Sequence, residues 1–372
     1  MAALDWLLDP ADPGPRHLAL RDIVGRPAGD PELLAARAAA HAAPPIATIL
    51  DAMHPDGYWE KPGPGYGPKY RSTVWALITL GQVGATATAD PRIGRAAAYL
   101  LDHTYRPGGQ LCAWGGAGAS TTADCLQGNL LAALLSLGIA DPRLENAFEW
   151  MARSVTGAGV APASDKHAAR RYFASGKSGP LFECAINGHL PCAWGGAKVL
   201  LAFGLLPAAR RTPLIDDAIH QGVEYILSLD PATGEYPHPY SPKPSGNWWK
   251  FGFPVFYVAD LLQIVEALAA LGYGDDPRLA NTRALIAGQA DAAGRWPLAY
   301  HYNGKMGAGV EFGRKGQANK WVTIRALRAL AGQRVDAAAR VGAAARVGAA
   351  ARVDAAARVG AAARVDAAAR VA

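Results

Sequence analysis

Two kinds of helical pattern alternate along this chain, and the alternation limits the folds open to it more than any other feature. The first kind is apolar nearly all round and ends in glycine: STVWALITLG (72–81), DCLQGNLLAALLSLG (124–138), CAWGGAKVLLAFG (192–204) and PVFYVADLLQIVEALAALG (254–272). NKWVTIRALRALAG (319–332) is a more polar copy. Glycine just past the last turn stops a helix because it takes the left-handed conformation without steric cost. A helix apolar on every side needs cover on every side. The second kind opens on Asp-Pro or Thr-Pro, an N-cap acceptor followed by the residue best suited to a first turn. Its copies are ADPRIGRAAAYLL from Ala89, ADPRLENAFEWM from Ala140, DDPRLANTRALI from Asp275 and the looser RTPLIDDAIHQGVEYIL. Only one stripe of each is apolar, such as Leu144, Phe148, Met151 and Val155, or Ile215, Ile219, Val223 and Ile226.

Fully covered helices inside and half-covered helices outside, joined by long loops bearing Gly and Trp, describe two concentric rings. The expectation is an all-α fold, an α/α toroid of five to six helical hairpins forming one domain over residues 45–333. Residues 1–44 are expected as a helical extension packed on the ring. From Arg334 to Ala372 the chain repeats RV(D/G)AAA with a period of six. Six residues turn about 600°, so Arg and Val visit three faces in succession and no apolar stripe results. A solvated, non-core tail is expected there.

That tail holds seven Arg and three Asp, and so supplies four of the six net positive charges. The remainder predicts no basic face and no nucleic-acid partner. Hydrophobic residues at 51% against 18% charged suit a core-building chain. Asp5 and Asp9 stand where a signal peptide would be basic and then apolar. No stretch reaches the roughly 18 uncharged apolar residues of a membrane span. Four cysteines are too few to staple a chain of this size and fit free thiols or metal ligands in a reducing compartment. A cytoplasmic chain is expected.

Gln289, Gly294 and Trp296 in QADAAGRW match the QxxxxGxW-type repeat of squalene–hopene cyclases, and HPDGYW at 54–59 is a weaker copy. On these residues and the helix order over about 45–332, the chain resembles the terpenoid cyclase and protein prenyltransferase toroid superfamily, with its prenyltransferase and squalene oxidase repeats. The resemblance implies an isoprenoid or isoprenoid diphosphate in a central cavity. The cyclases' DxDD motif is absent: Asp216-Asp217 follows Leu214 and Ile215, and Asp275-Asp276 follows Tyr273 and Gly274. The metal-binding DDxxD motif is absent as well.

Parallel inner helices would gather their N-terminal ends at one mouth. The residues expected there are Lys69, Tyr70, Arg71 and Trp75, then Asp124, Cys125 and Gln127, then Cys192, Trp194 and Lys198. Trp248, Trp249, Lys250 and Tyr257 follow, and Lys315, Asn319, Lys320 and Trp321 complete the set. Aromatic walls suit an apolar or cationic ligand, and Lys or Arg beside helix N-termini suits phosphate. Trp75, Trp194, Trp248, Trp249, Tyr257 and Trp321 would then line hydrocarbon, with Lys69, Arg71, Lys250 and Lys320 on a phosphate. Equally, the aromatics could simply fill a wide ring and the cations decorate its rim.

Asp124 and Cys125 are the candidate catalytic pair, since a carboxyl against an apolar wall has a raised pKa and can act as an acid. An ordinary N-cap is the plainer role for Asp124. Cys125, Cys184, His189 and Cys192 could converge as a zinc site, with Cys112 a substitute for any one thiol. Prenyltransferases hold zinc with Asp, Cys and His at the corresponding mouth, which Asp124-Cys125 resembles loosely. Free cysteines also pack as small hydrophobes. Two other functions stay open. A carbohydrate-active double ring needs two facing carboxylates about 5–10 Å apart, with Glu183 and Asp260 as partners for Asp124. A non-catalytic binding toroid needs only the rings.

Overall fold

The computed structural model describes residues 3–113, 122–160, 178–238 and 246–331. The chain divides into two units, Met1–Val335 and Asp336–Ala372, and every described residue belongs to the first. The six-residue repeat from Arg334 and the stop glycine Gly332 lie outside the described residues. The fold is all-α. Its helices are α1 (Ala3–Leu7), α2 (Pro13–Asp22), α3 (Pro31–Ala42), α4 (Ile46–Asp51), α5 (Thr73–Gln82), α6 (Pro91–Thr104) and α7 (Asp124–Ser136). There follow α8 (Arg143–Thr156), α9 (Ala193–Leu205), α10 (Pro213–Leu227), α11 (Leu261–Ala270), α12 (Ala280–Ala287) and α13 (Lys320–Leu330). A small antiparallel sheet, β1 (Ser178–Gly179), β2 (Glu183–Cys184) and β3 (Leu190–Pro191), sits just before α9.

The apolar helices form the inner layer. Each packs on the next, α5 on α7, α7 on α9, α9 on α11 and α11 on α13, while α6, α8, α10 and α12 cover them from outside. Small residues let the inner backbones approach closely. A Cβ at Gly128 would lie 2.6 Å from the Lys198 carbonyl carbon, and one at Gly204 would lie 2.6 Å from the Ala270 Cβ. Gly128 and Lys198 both fall early in their helices, and Gly204 and Ala270 late, so these neighbours run parallel.

Where the sequence sets residues 1–44 apart, the structure makes α2 an inner helix. Lys320 at the start of α13 pairs with Asp12 at the start of α2 at 2.6 Å, and Arg328 near the end of α13 pairs with Asp22 at the end of α2. A Cβ at Gly84, just past α5, would meet Leu18 of α2. Helix α2 thus packs on α13 and meets the chain just past α5 at Gly84, with α3 packed on it. Its PGPRHLALRD sequence hides this role, because the buried Asp22 is held in an ion pair with the partly exposed Arg21.

A second difference concerns residues 254–260. The apolar run PVFYVAD does not open α11, which begins at Leu261 with Asp260 as its N-cap. A continuous apolar run cannot by itself be told apart as helix or extended chain, and Pro254 followed by Val255, Phe256 and Tyr257 favours the extended form. Residues 251–257 form a strap bonded to four inner helices. Gln82 of α5 grips both the N–H and the C=O of Val255 (2.8 and 2.7 Å). Asn129 of α7 donates to the Phe256 carbonyl at 3.1 Å. Arg325 of α13 donates to the Gly252 carbonyl, and the Asp260 cap accepts from the Gly252 N–H. Arg325 also forks onto Asp260 at 2.7–2.8 Å and reaches Glu266, a buried network that joins α11 to α13.

Two sequence repeats become repeated contacts. Asp90, Asp141 and Asp276 each accept from the backbone N–H two residues on, at 2.9 Å. The arginine at that position folds back on its Asp and reaches an acid of the preceding outer element: Arg92 to Asp51, Arg143 to Asp102, Arg278 to Glu224. Trp296 donates its indole N–H to the Ile286 carbonyl at 2.7 Å, and its backbone N–H goes to Thr323 of α13 at 3.0 Å. Trp59 does the same with Ile49 and Thr73 of α5, at 2.7 and 3.1 Å. Tyr236 reaches Ile226, again ten residues back, at 2.6 Å. Each aromatic ties an outer helix to the following chain.

Candidate functional site

The N-terminal ends of α7 and α9 bring Asp124, Cys125, Cys184 and Cys192 together. Asp124 is the first residue of α7 and 3% exposed. Its backbone N–H donates to the Ser178 hydroxyl of β1, and its Oδ1 accepts from the Ser154 hydroxyl of α8, both at 2.9 Å. Its Oδ2 is buried, with no hydrogen-bond partner at good geometry among the described residues. Burial pushes this carboxyl up to about 7, against the pull of the serine hydrogen bonds. An N-cap aspartate would stay low, and Asp124 is one residue inside the helix, with Ala123 at the cap.

The thiols differ sharply from one another. Cys184 ends β2, where the following turn, Ala185–Asn187, aims the N–H groups of Ile186 and Asn187 at its sulfur. The neighbouring Cys192 thiol and these N–H groups hold Cys184 down at about 6. Cys192, the N-cap of α9, is pushed up by its neighbour Cys184 and by burial. Burial pushes Cys125 up to about 12, with Cys184 and Asp124 adding to the effect. The two thiols titrate as a pair, with the anion favoured on Cys184 by the amides of the turn. His189 stands 2.7 Å from Glu183 on the exposed side of the same hairpin. Cys112 shares a hydrogen bond with Thr122 at 3.1 Å and is buried elsewhere. Among the described residues no three His, Cys, Asp or Glu side chains are arranged as metal ligands.

Behind this cluster, Lys198 of α9 is fully buried and donates to Gln263 of α11. Desolvation lowers its pKa to about 7, opposed by the nearby Asp260. Its place early in the helix is legible in the sequence. Its burial is not, since a lysine within an apolar helix reads as a stripe of wet surface.

The aromatic and cationic residues form a second cluster, at the start of α5. Trp75 is fully buried and donates to the Tyr66 carbonyl at 2.7 Å. Phe256 of the strap stacks on Tyr70 at 5.0 Å and meets Trp75 edge-on at 5.3 Å. Tyr257 also meets Trp75 edge-on, and Lys69 lies 5.2 Å over the rings of both Tyr66 and Tyr257. A small cleft of about 20 Å³, room for about one water, lies here between Trp59, Tyr70, Arg71, Trp75 and Met306. It is far below the roughly 300–1,000 Å³ of sites for drug-sized ligands.

Other expected site residues are engaged structurally. Arg71 pairs with Glu60 at 3.0 Å, and Lys320 with Asp12. Trp248 and Trp249 donate to the Pro231 and Ala232 carbonyls at 2.8 and 2.9 Å, and Lys250 reaches Asn247. All three precede the strap instead of opening α11. Trp321 stacks on Phe253 at 5.0 Å, and Trp194 is half-buried against the core. Asp260 is committed to Arg325 and Glu183 to His189, so neither faces Asp124 as a free carboxylate.

Fold and site together define a two-layered all-α protein with a carboxyl and three thiols at one end of its inner helices. No family model matches the chain, and no curated protein matches it. Among solved structures it is similar to a protein from Actinoplanes, at 19% identity over 84% of this chain and 78% of that one, with a TM-score of 0.41. Among the described residues no helix is long and apolar enough to cross a membrane.

Proposed function

We propose that the chain binds an isoprenoid or isoprenoid diphosphate at the N-terminal end of its inner helices and transforms it with Asp124 as proton donor. The observation that carries this reading is the buried carboxyl, with no well-placed partner on Oδ2 among the described residues and a pKa of about 7. Such a group is protonated often enough at neutral pH to have a proton to give. The neighbouring rings of Tyr66, Tyr70, Trp75 and Tyr257 favour positive charge, as Lys69 over two of them illustrates. Lys69 and Arg71 supply charge for a diphosphate.

The test is product analysis after incubating the full chain with prenyl diphosphates of increasing length. Wild type is expected to form product at a rate that falls as pH rises through about 7, and Asp124→Asn is expected to form none. Equal turnover by Asp124→Asn, or no product at any length, rejects the reading.

A further inference from the structure

We propose that Cys184 and Cys192 form a thiol–disulfide exchange site, with Cys184 attacking a low-molecular-weight disulfide and Cys192 resolving the adduct. The inference rests on the hairpin geometry and is independent of any isoprenoid chemistry. Cys184 pairs across the strands with Leu190, and the Cys192 N–H bonds to the Phe182 carbonyl at 2.9 Å, so Cys184 and Cys192 are diagonal neighbours on one face of the hairpin. The N–H groups of Ile186 and Asn187 converge on the Cys184 sulfur and stabilise it as an anion. The backbone is held for this: His189 sits at φ 62°, and its N–H bonds back to the Cys184 carbonyl at 2.9 Å. Both thiols are partly exposed. The apolar side chains of Ile186 and Leu190 project beside them, 59% and 37% exposed. A nucleophilic sulfur with a second thiol in contact and an open approach is the arrangement that exchange requires.

The chemistry balances with the substrate disulfide as oxidant. The Cys184 thiolate attacks one sulfur of RSSR, forming a Cys184–SR mixed disulfide and releasing RS⁻. That thiolate takes the Cys192 proton and leaves as RSH. The Cys192 thiolate then attacks the Cys184 sulfur, forming the Cys184–Cys192 disulfide and releasing a second RS⁻. The protein loses two electrons and the substrate gains them.

Oxidised glutathione is the probe, applied to the full chain and followed by mass spectrometry of intact protein and peptides. Wild type is expected to become lighter by two hydrogens, with no lasting adduct and the new bond between residues 184 and 192. Cys192→Ser is expected to trap one glutathione on Cys184. Cys184→Ser is expected to react at least about tenfold more slowly at every remaining thiol. Circular dichroism of each variant shows whether it folds, and the competition among the four thiols of the wild type reads the same preference without substitution. A lasting glutathione adduct on wild-type Cys184 overturns the proposal, as does a Cys184 no faster than Cys125 or Cys112. A purified chain carrying zinc that silences both thiols overturns it too.

Discussion

Asp124 carries a cost that its neighbours only partly offset, and that cost has a pH signature. Its folded pKa of about 7 lies above the ordinary value of 3.8, so between those limits the folded state binds more protons than the unfolded one. Stability contributed by this group therefore falls as pH rises from about 4 to 7. Asp124→Asn keeps the Ser154 contact and has no charge to desolvate. It is expected to match wild type near pH 4 and exceed it at pH 8, by at most about 4 kcal/mol, since each tenfold change in proton affinity is worth about 1.4 kcal/mol. Urea denaturation at the two pH values reads the difference, and parallel behaviour of the two proteins would show that the carboxyl is solvated. At this scale the sequence was informative about position and silent about state. It places Asp124 and Cys125 at a helix start, yet the surroundings of Oδ2 and the amides around Cys184 depend on β1–β3, which no periodicity marks.

Among elements, the repeated Asp-Pro-Arg clips and the repeated tryptophan ties look alike in sequence and differ in energy. Arg143 spans Asp141 and Asp102 near solvent, so Arg143→Ala is expected to cost under about 1 kcal/mol. Trp296 is buried and fastens α12 to α13 through two hydrogen bonds, so Trp296→Ala is expected to cost about 3–5 kcal/mol. Thermal or urea unfolding of the two variants ranks them, and the opposite order would mean that the outer ring is held by its ion pairs. The inner helices α5, α7, α9 and α13 were legible from continuous apolar surface. Gly138 and Gly272 lie past α7 and α11 at positive φ as expected, but Gly81 and Gly204 fall inside α5 and α9, against Ala133 and Ala270. The strap at 251–257 was not, because Val255, Phe256 and Tyr257 are as apolar as a buried helix. Only the Asp260 cap, bonded to the Gln263 N–H, marks where α11 begins.

For the molecule as a whole, α2 decides whether the inner helices join up. Asp22 lies between Arg21 and Arg328 with its side chain fully buried, and removing it takes the shared anion from both cations, leaving Arg328 with Glu266 at 4.0 Å. Asp22→Ala is expected to destabilise the chain by about 3–5 kcal/mol, measured by denaturant unfolding. A cost near zero would mean that α2 is a detachable extension. The joined inner helices in turn fix which ends meet, and so bring the acid of α7 near the aromatic cluster of α5. Calorimetric titration of the full chain with prenyl diphosphates of increasing length, beside neutral oligosaccharides, tests the resulting account most directly. Each buried methylene offers about 0.8 kcal/mol before ordering costs, so affinity is expected to rise with chain length while the oligosaccharides give no heat. Binding of the oligosaccharides with no response to any prenyl diphosphate would contradict it.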